Sequence, residues 1–196
     1  ESPLLNDNYF TVSGTPTLYN LQTDVLHETS GDLTVNGTLD LNIGDLDIGS
    51  GPSASDPIKL IVNGDMTRSG GTINSAQAGT GADNLSRLVL QGTGTVDGGL
   101  SNAYFNGTSN TTVQLEIARQ ESLGGNLQIG ATANEETFLR INSGINNLDL
   151  GTNTITFSDG ALLTMLSGGI KSGSNTAVVL NDDITTIPAS MFVNNE

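Results

Sequence analysis

The chain has 196 residues, with 6 basic and 21 acidic side chains and a formal net charge of −15; this balance argues against nucleic-acid binding, because such a chain repels phosphate backbones. It has no cysteine and no tryptophan, and only 4% of its residues are aromatic, which excludes thiol and disulfide chemistry and predicts a thin core of Leu, Ile and Val. No apolar run reaches the length of a membrane span and no signal peptide opens the sequence, so we expect no membrane insertion.

An aromatic pair divides the chain into units. Residues 1–8 are predicted to be a connector, and Tyr9-Phe10 begins a pattern that returns at Tyr104-Phe105 and, degraded, at Met191-Phe192. We therefore predict two repeat units of roughly 90 residues, 9–103 and 104–190, with the start of a further repeat or linker at 191–196. Since the sequence starts without methionine and breaks off inside a third unit, we expect an internal piece of a longer protein.

The clearest strand pattern lies in residues 31–51. Apolar residues occupy alternate positions, which places them on one face of an extended strand: Leu33, Val35, Leu39, Leu41 and Ile43. At Gly44 the alternation shifts by one residue, and Leu46 and Ile48 continue it. Because glycine adopts positive φ at low cost, we predict short strands joined by tight corners.

This stretch has an echo downstream. Residues 31–35 recur as 125–129, 39–42 as 139–142, and 46–49 as 148–151. Self-similarity of this kind marks repeat architectures, and long helical periodicity is absent. We predict an all-β fold, a right-handed parallel β-helix (β-solenoid) with coils of about 20–29 residues stacked about 4.8 Å apart. Residues 120–123 are the one segment for which a short helix is considered, and a β-sandwich array is the structural alternative.

Three aspartates are candidate Ca²⁺ ligands. Asp45 and Asp47 flank Leu46, so their carboxylates share one face of a strand, and the echo assigns Asp149 to the position of Asp47. Stacked coils could gather these carboxylates with Asp40, since Ca²⁺ takes six to eight oxygen ligands. The alternative is a solvated polar face, because the EF-hand loop and the glycine-aspartate nonapeptide of calcium β-rolls are both absent. We expect no obligatory cofactor.

Loops rich in small and polar residues separate the strands. They are Ser50–Pro57, Ser75–Asn84 and Ala131–Glu136. Because binding residues concentrate on loops of a rigid scaffold, we expect ligand contacts, where there are any, in these loops.

Two segments resemble a known class of proteins. The run LTVNGTLDL at 33–41, followed by LDIG at 46–49, resembles the repeats of giant surface proteins of Bacteroidetes. The segment VVLNDDITTIPASMFVNN at 178–195 is similar to the linkers between those repeats. The resemblance implies a parallel β-helix, secretion by the type IX route, a location at the cell surface, and a role in adhesion or gliding motility. It implies no catalytic residues.

An enzyme is the main alternative, because parallel β-helices often carry polysaccharide lyases or hydrolases, and glycoside hydrolysis needs two carboxylates facing a cleft. His27 is the only histidine, and aromatic rings for sugar stacking are scarce. The basic residues do not cluster with acids in the sequence: Lys59, Arg68, Arg87, Arg119, Arg140 and Lys171. We therefore predict no enzymatic activity.

The sequence thus predicts a stiff stalk or adhesive segment of a large extracellular protein or filament. Its expected partners are the neighbouring repeats of the same polypeptide, and surface glycans or other cell-surface proteins through the loops. A plain spacer with no ligand is an alternative. An ice-binding solenoid is another, since Thr152, Thr154 and Thr156 form a row of threonines.

Overall fold

The structure is a computed structural model. It describes residues 4–5, 9–13, 33–43, 45–48, 59–75, 87–105, 114–129, 137–157, 161–171, 177–180 and 192–193.

The described part of the chain consists mainly of short strands. In chain order these are β1 (Leu4–Leu5), β2 (Tyr9–Ser13), β3 (Leu33–Val35), β4 (Thr38–Ile43), β5 (Asp45–Ile48), β6 (Lys59–Val62), β7 (Met66–Arg68), β8 (Thr72–Ser75), β9 (Arg87–Leu90), β10 (Gln114–Ile117), β11 (Glu121–Ser122), β12 (Leu127–Ile129), β13 (Thr137–Asp149), β14 (Thr154–Phe157), β15 (Ala161–Lys171), β16 (Ala177–Leu180) and β17 (Phe192–Val193). One turn of 3-10 helix spans Asn102–Tyr104. The all-β prediction is confirmed.

The largest sheet is built from strands that are far apart in sequence. Its order is β1-β3-β6-β9-β10-β13-β15-β17, with β11 also beside β13, and its pairings are parallel. Leu33 pairs with Leu60, Leu60 with Leu88, and Leu88 with Leu115, at spacings of 27, 28 and 27 residues. Each strand therefore lies against the strand that follows roughly one such spacing later.

Smaller parallel sheets repeat the same arrangement. Their orders are β2-β4-β7, β5-β8 and β12-β14-β16. Leu39 of β4 pairs with Met66 of β7, and Leu46 of β5 pairs with Ile73 of β8, both at a spacing of 27 residues. Successive strands of the chain thus enter different sheets before the chain returns to the first.

The core follows from the period-two pattern. In β6 and β14 every second residue is buried, and in β12 both apolar residues are buried. The fully buried side chains include Phe157, Leu39, Leu41, Leu46, Ile48, Leu60, Met66 and Ile73. Alternation in the sequence therefore becomes one continuous cluster of apolar side chains.

Two details of the sequence interpretation need correction. The short helix considered for residues 120–123 is wrong: Glu121–Ser122 form β11, and Leu123 pairs in parallel with Leu100. The echoing segments also lie in different sheets, since 33–35 belong to the largest sheet and 127–129 to the β12-β14-β16 sheet. Local similarity reports strand chemistry, whereas the choice of sheet depends on loop lengths.

The division into units stays a prediction. The boundary predicted after Ala103 falls inside the 3-10 turn, and Asn102 donates a backbone hydrogen bond to Asn126 across it. His27, loop 50–57, residues 76–84 and residues 131–136 lie outside the described residues, as does most of the predicted connector and of the final linker.

Candidate functional site

The predicted metal ligands do not share one strand neighbourhood. Asp45 and Asp47 belong to β5, where their backbone register partners are Thr72 and Asn74 of β8. Asp149 ends β13 in the largest sheet, where its register partners are Ser122 and Lys171. The side chains of Asp45 and Asp47 lie outside what the structure describes. Among the side chains that are described, no group of three or more His, Cys, Asp or Glu is placed to hold a metal.

Asp149 already has partners on both carboxylate oxygens. The backbone N–H of Gly151 donates to Oδ1 at 2.9 Å, and Lys171 Nζ lies 3.1 Å from Oδ2. The Gly151 hydrogen bond, helped by Lys171, holds the pKa of the Asp149 carboxyl below its ordinary value. Asp40 is likewise engaged, since Thr67 Oγ1 donates to it at 2.8 Å. The coils therefore stack hydroxyls and ammonium groups, not further carboxylates, against these two acids.

We expect thermal melts of the protein in EDTA and in excess CaCl₂ to superimpose. A cation at Asp149 would displace donors that the protein supplies itself. Circular dichroism at one fixed ionic strength measures the effect. A rise in Tm with Ca²⁺ that Asp149→Asn abolishes would contradict this expectation and establish the site.

A buried ionic cluster lies on the largest sheet. Glu116 of β10 stands between arginines of the two neighbouring strands: its Oε2 lies 2.9 Å from Arg87 Nε and 3.7 Å from Arg140 Nη1. Asn142 Nδ2 also donates to Glu116, at 3.4 Å. The three charged residues are each less than 9% exposed. The cluster joins three consecutive strands by charge-assisted contacts.

A second buried ion pair, Arg119–Glu121, lies where β11 begins. Arg119 Nε donates to Glu121 Oε1 at 2.5 Å, and the two residues are 3% and 5% exposed. Arg119 Nη1 also donates to the carbonyl oxygens of Gly64 and Gln91, at 2.8 and 3.0 Å. One guanidinium thus connects its own coil with the two preceding coils.

The charges of this pair are held at a cost. Burial raises the pKa of Glu121 above its ordinary value, although Arg119 opposes the shift through its charge and hydrogen bond. A carboxyl whose pKa is higher in the folded than in the unfolded protein binds more protons when folded. Its contribution to stability is therefore complete below the unfolded pKa and is lost as the pH rises through the folded pKa.

We expect Glu121→Gln to remove this pH dependence. Glutamine keeps an oxygen for Arg119 Nε and has no proton to lose. From about pH 4.5 upward, the Tm of the native protein should fall relative to that of the variant. Melts of both proteins across this range measure the difference, and the general effect of the net charge cancels because the rest of the chain is unchanged. Parallel curves would contradict the assignment.

A polar cleft opens beside this ion pair. Its walls are the turn 92–96 on one side and residues 119–122 on the other, with Asp149 at the next coil, and its volume is about 430 Å³. Thr93, Gln120 and Ser122 are exposed in its lining, whereas Arg119 and Glu121 are buried. We call this feature the 92–122 cleft.

The cleft lies where one ladder ends. Met66 pairs with Val96, but the next pairing along the chain joins Leu100 to Leu123. Val96 does not continue onto another strand, because its carbonyl accepts from the N–H of Gly99 and closes a tight turn. The interruption leaves room between this turn and β11 for polar side chains.

Two other predicted features have bland surroundings. Thr156 has Gln128 and Val179 as register partners, and Thr154 has Ala177, so the structure places no further threonine beside this row. Tyr104 and Phe105 are both buried, and the Tyr104 hydroxyl donates to the Asp97 carbonyl at 2.6 Å. The ring pair therefore packs in the core.

The sequence analysis missed Arg119 and Glu121, and the statement that basic residues do not cluster with acids is wrong for Arg119. A signal was present. Leu115, Ile117 and Leu123 mark an inward row of alternate residues, and Arg119 and Glu121 occupy the two positions between them. Opposite charges on one face of an extended segment can neutralise each other inside the protein. A pair of opposite charges within an apolar row is thus a readable sign of a buried ion pair.

No protein-family model, curated protein or solved structure matches this chain. Within the described residues, no helix has the length and apolar character needed to cross a bilayer.

Proposed function

We propose that the chain is a right-handed parallel β-helix that serves as a stiff segment of a large extracellular adhesin or filament. The observation that carries this proposal is the register of the largest sheet, in which strands 24 to 28 residues apart pair in parallel from Leu33 through Leu60, Leu88, Leu115 and Leu139 to Leu163. Parallel strands need crossover connections, and these are right-handed in about 98% of cases. A chain that returns to the same sheet at this interval is a coil stacked on itself.

Contacts between coils support the mechanical role. Asn63 Nδ2 donates to Asn36 at 2.6 Å, and Gln91 Nε2 donates to Asn63 at 3.0 Å, so amides are stacked at one corner of three successive coils. Ser69 donates to Asn42, and Thr95 to Asp65. Side-chain bonds therefore add to the backbone ladders, and bending must break both.

The extracellular and adhesive parts of the proposal rest on the composition and on the resemblance to Bacteroidetes surface repeats. A net charge of −15 keeps an exposed rod soluble. The units 9–103 and 104–190 would stack through open sheet edges on neighbouring repeats, since unpaired strand edges favour such addition. Secretion by the type IX route, gliding motility and the absence of catalysis belong to the same proposal.

Antibody raised against this segment tests the proposal on intact, unpermeabilised source cells. We expect gold label along fibres or filaments at the surface, and no label on cells from which the gene has been deleted. Label absent from cells, with the protein free in the medium, would overturn the structural role. A polysaccharide-cleaving enzyme would then be the first alternative to assay.

A further inference from the structure

The 92–122 cleft has the dimensions of a ligand site. Its volume of about 430 Å³ lies within the ~300–1,000 Å³ typical of small-molecule pockets. Its exposed wall carries the hydroxyls of Thr93 and Ser122 and the amide of Gln120. The packing of the apolar core leaves these side chains without a role.

Arg119 supplies the second observation. Its Nε and Nη1 have acceptors, but no acceptor in the described part of the protein lies within reach of the buried Nη2. A guanidinium has five N–H donors, and a buried donor left unsatisfied costs about 1–3 kcal/mol. A ligand oxygen that reaches this nitrogen from the cleft would recover that cost.

The charges around the cleft select the kind of oxygen. Glu121 neutralises Arg119, and Lys171 offsets Asp149, so the lining presents balanced charges within a chain of net charge −15. An anionic ligand gains little from such a surface and is repelled by the rest of the molecule. A neutral hydroxyl both donates and accepts, and the cleft offers donors at Arg119 and Gln120 and acceptors at Glu121 and Asp149.

We propose that the 92–122 cleft binds a neutral saccharide residue. Its hydroxyls accept from Arg119 Nη2 and Gln120, and donate to the carboxylates of Glu121 and Asp149, while Thr93 and Ser122 contact the ring at the rim. The inference builds on the proposed adhesive role, for which it names a class of partner. It also moves the ligand contact from the three predicted loops to a cleft between coils.

Amide-resolved NMR titration of the full chain tests the inference. The probes are D-glucose, D-galactose, D-mannose and N-acetyl-D-glucosamine, with D-glucuronate and N-acetylneuraminate as anionic comparators. We expect at least one neutral sugar to shift amides of residues 92–96 and 119–122. Ser122→Ala should weaken that sugar's binding by about threefold to tenfold, as expected for one lost hydrogen bond.

Thr152→Val is the matched control, because Thr152 is exposed and lies outside the cleft; it should leave binding unchanged. No shift at the cleft with any neutral sugar, stronger binding of the anionic probes, or equal binding by Ser122→Ala and the native protein would each overturn the inference. Its failure differs from failure of the adhesive role: gold label on surface fibres can persist with an empty cleft, and sugar binding can persist in a protein that labels no fibres.

Discussion

Glu121→Ala is expected to lower the free energy of unfolding by about 3–5 kcal/mol, because it leaves the Arg119 guanidinium buried without its counter-charge. Arg119 is 3% exposed, and Glu121 is the only carboxylate recorded in contact with it among the described residues. The loss should also disturb the corner carbonyls of Gly64 and Gln91, since an uncompensated arginine draws in water. Urea denaturation followed by circular dichroism measures the change.

The double variant Arg119→Met/Glu121→Leu separates charge from packing. Replacing both members of a buried pair by apolar residues of similar volume is often neutral or stabilising, so we expect it to recover most of the loss. Lys171→Ala serves as the exposed control: its pair with Asp149 has side chains 37% and 28% exposed, and such surface pairs contribute about 0–1 kcal/mol. A loss after Glu121→Ala no larger than that of the control would contradict the buried-pair assignment.

Gly124→Ala is expected to destabilise the protein by about 3 kcal/mol or more, at the upper end of overpacking substitutions. A Cβ at this position would lie 1.5 Å from the carbonyl oxygen of Gly98 on the adjacent coil, and 2.6 Å from its carbonyl carbon. Both are backbone atoms, so no rotamer change relieves the overlap. The coils would have to separate, and the hydrogen bond from Gly124 N–H to the Leu100 carbonyl, 2.9 Å long, would be strained.

Gly98 provides the control for this substitution. A Cβ there meets nothing within 4 Å, but its φ is +69°, so Gly98→Ala should cost only the ~1–2 kcal/mol of a left-handed backbone. Gly98→Asn should cost less, because asparagine tolerates that conformation. Thermal and urea unfolding of the three variants rank the effects. Equal losses for Gly124→Ala and Gly98→Ala would show that the coils are not in close contact at this point.

The sequence by itself determined the strand chemistry. Alternation of apolar residues located β3, β4 and β5 within residues 31–51, and the shift at Gly44 correctly separated the last two. The coil spacing of roughly 20–29 residues agrees with the register of 27 residues between Leu39 and Met66. These features are local, because the period of side-chain direction in a strand is a property of the backbone alone.

Only the tertiary structure decided which strands are neighbours and what their outward side chains touch. The sequence repeat aligned Asp47 with Asp149, yet the two lie in different sheets with Asn74 and Lys171 as register partners. It gave no means of pairing Glu116 with Arg87 and Arg140, residues 29 and 24 positions away. A change of a few residues in a connecting loop moves a strand to another face or register while leaving its own pattern intact. Stacking contacts are therefore set by the lengths of the coils, and the buried arginines and the 92–122 cleft become visible only when the coils are stacked.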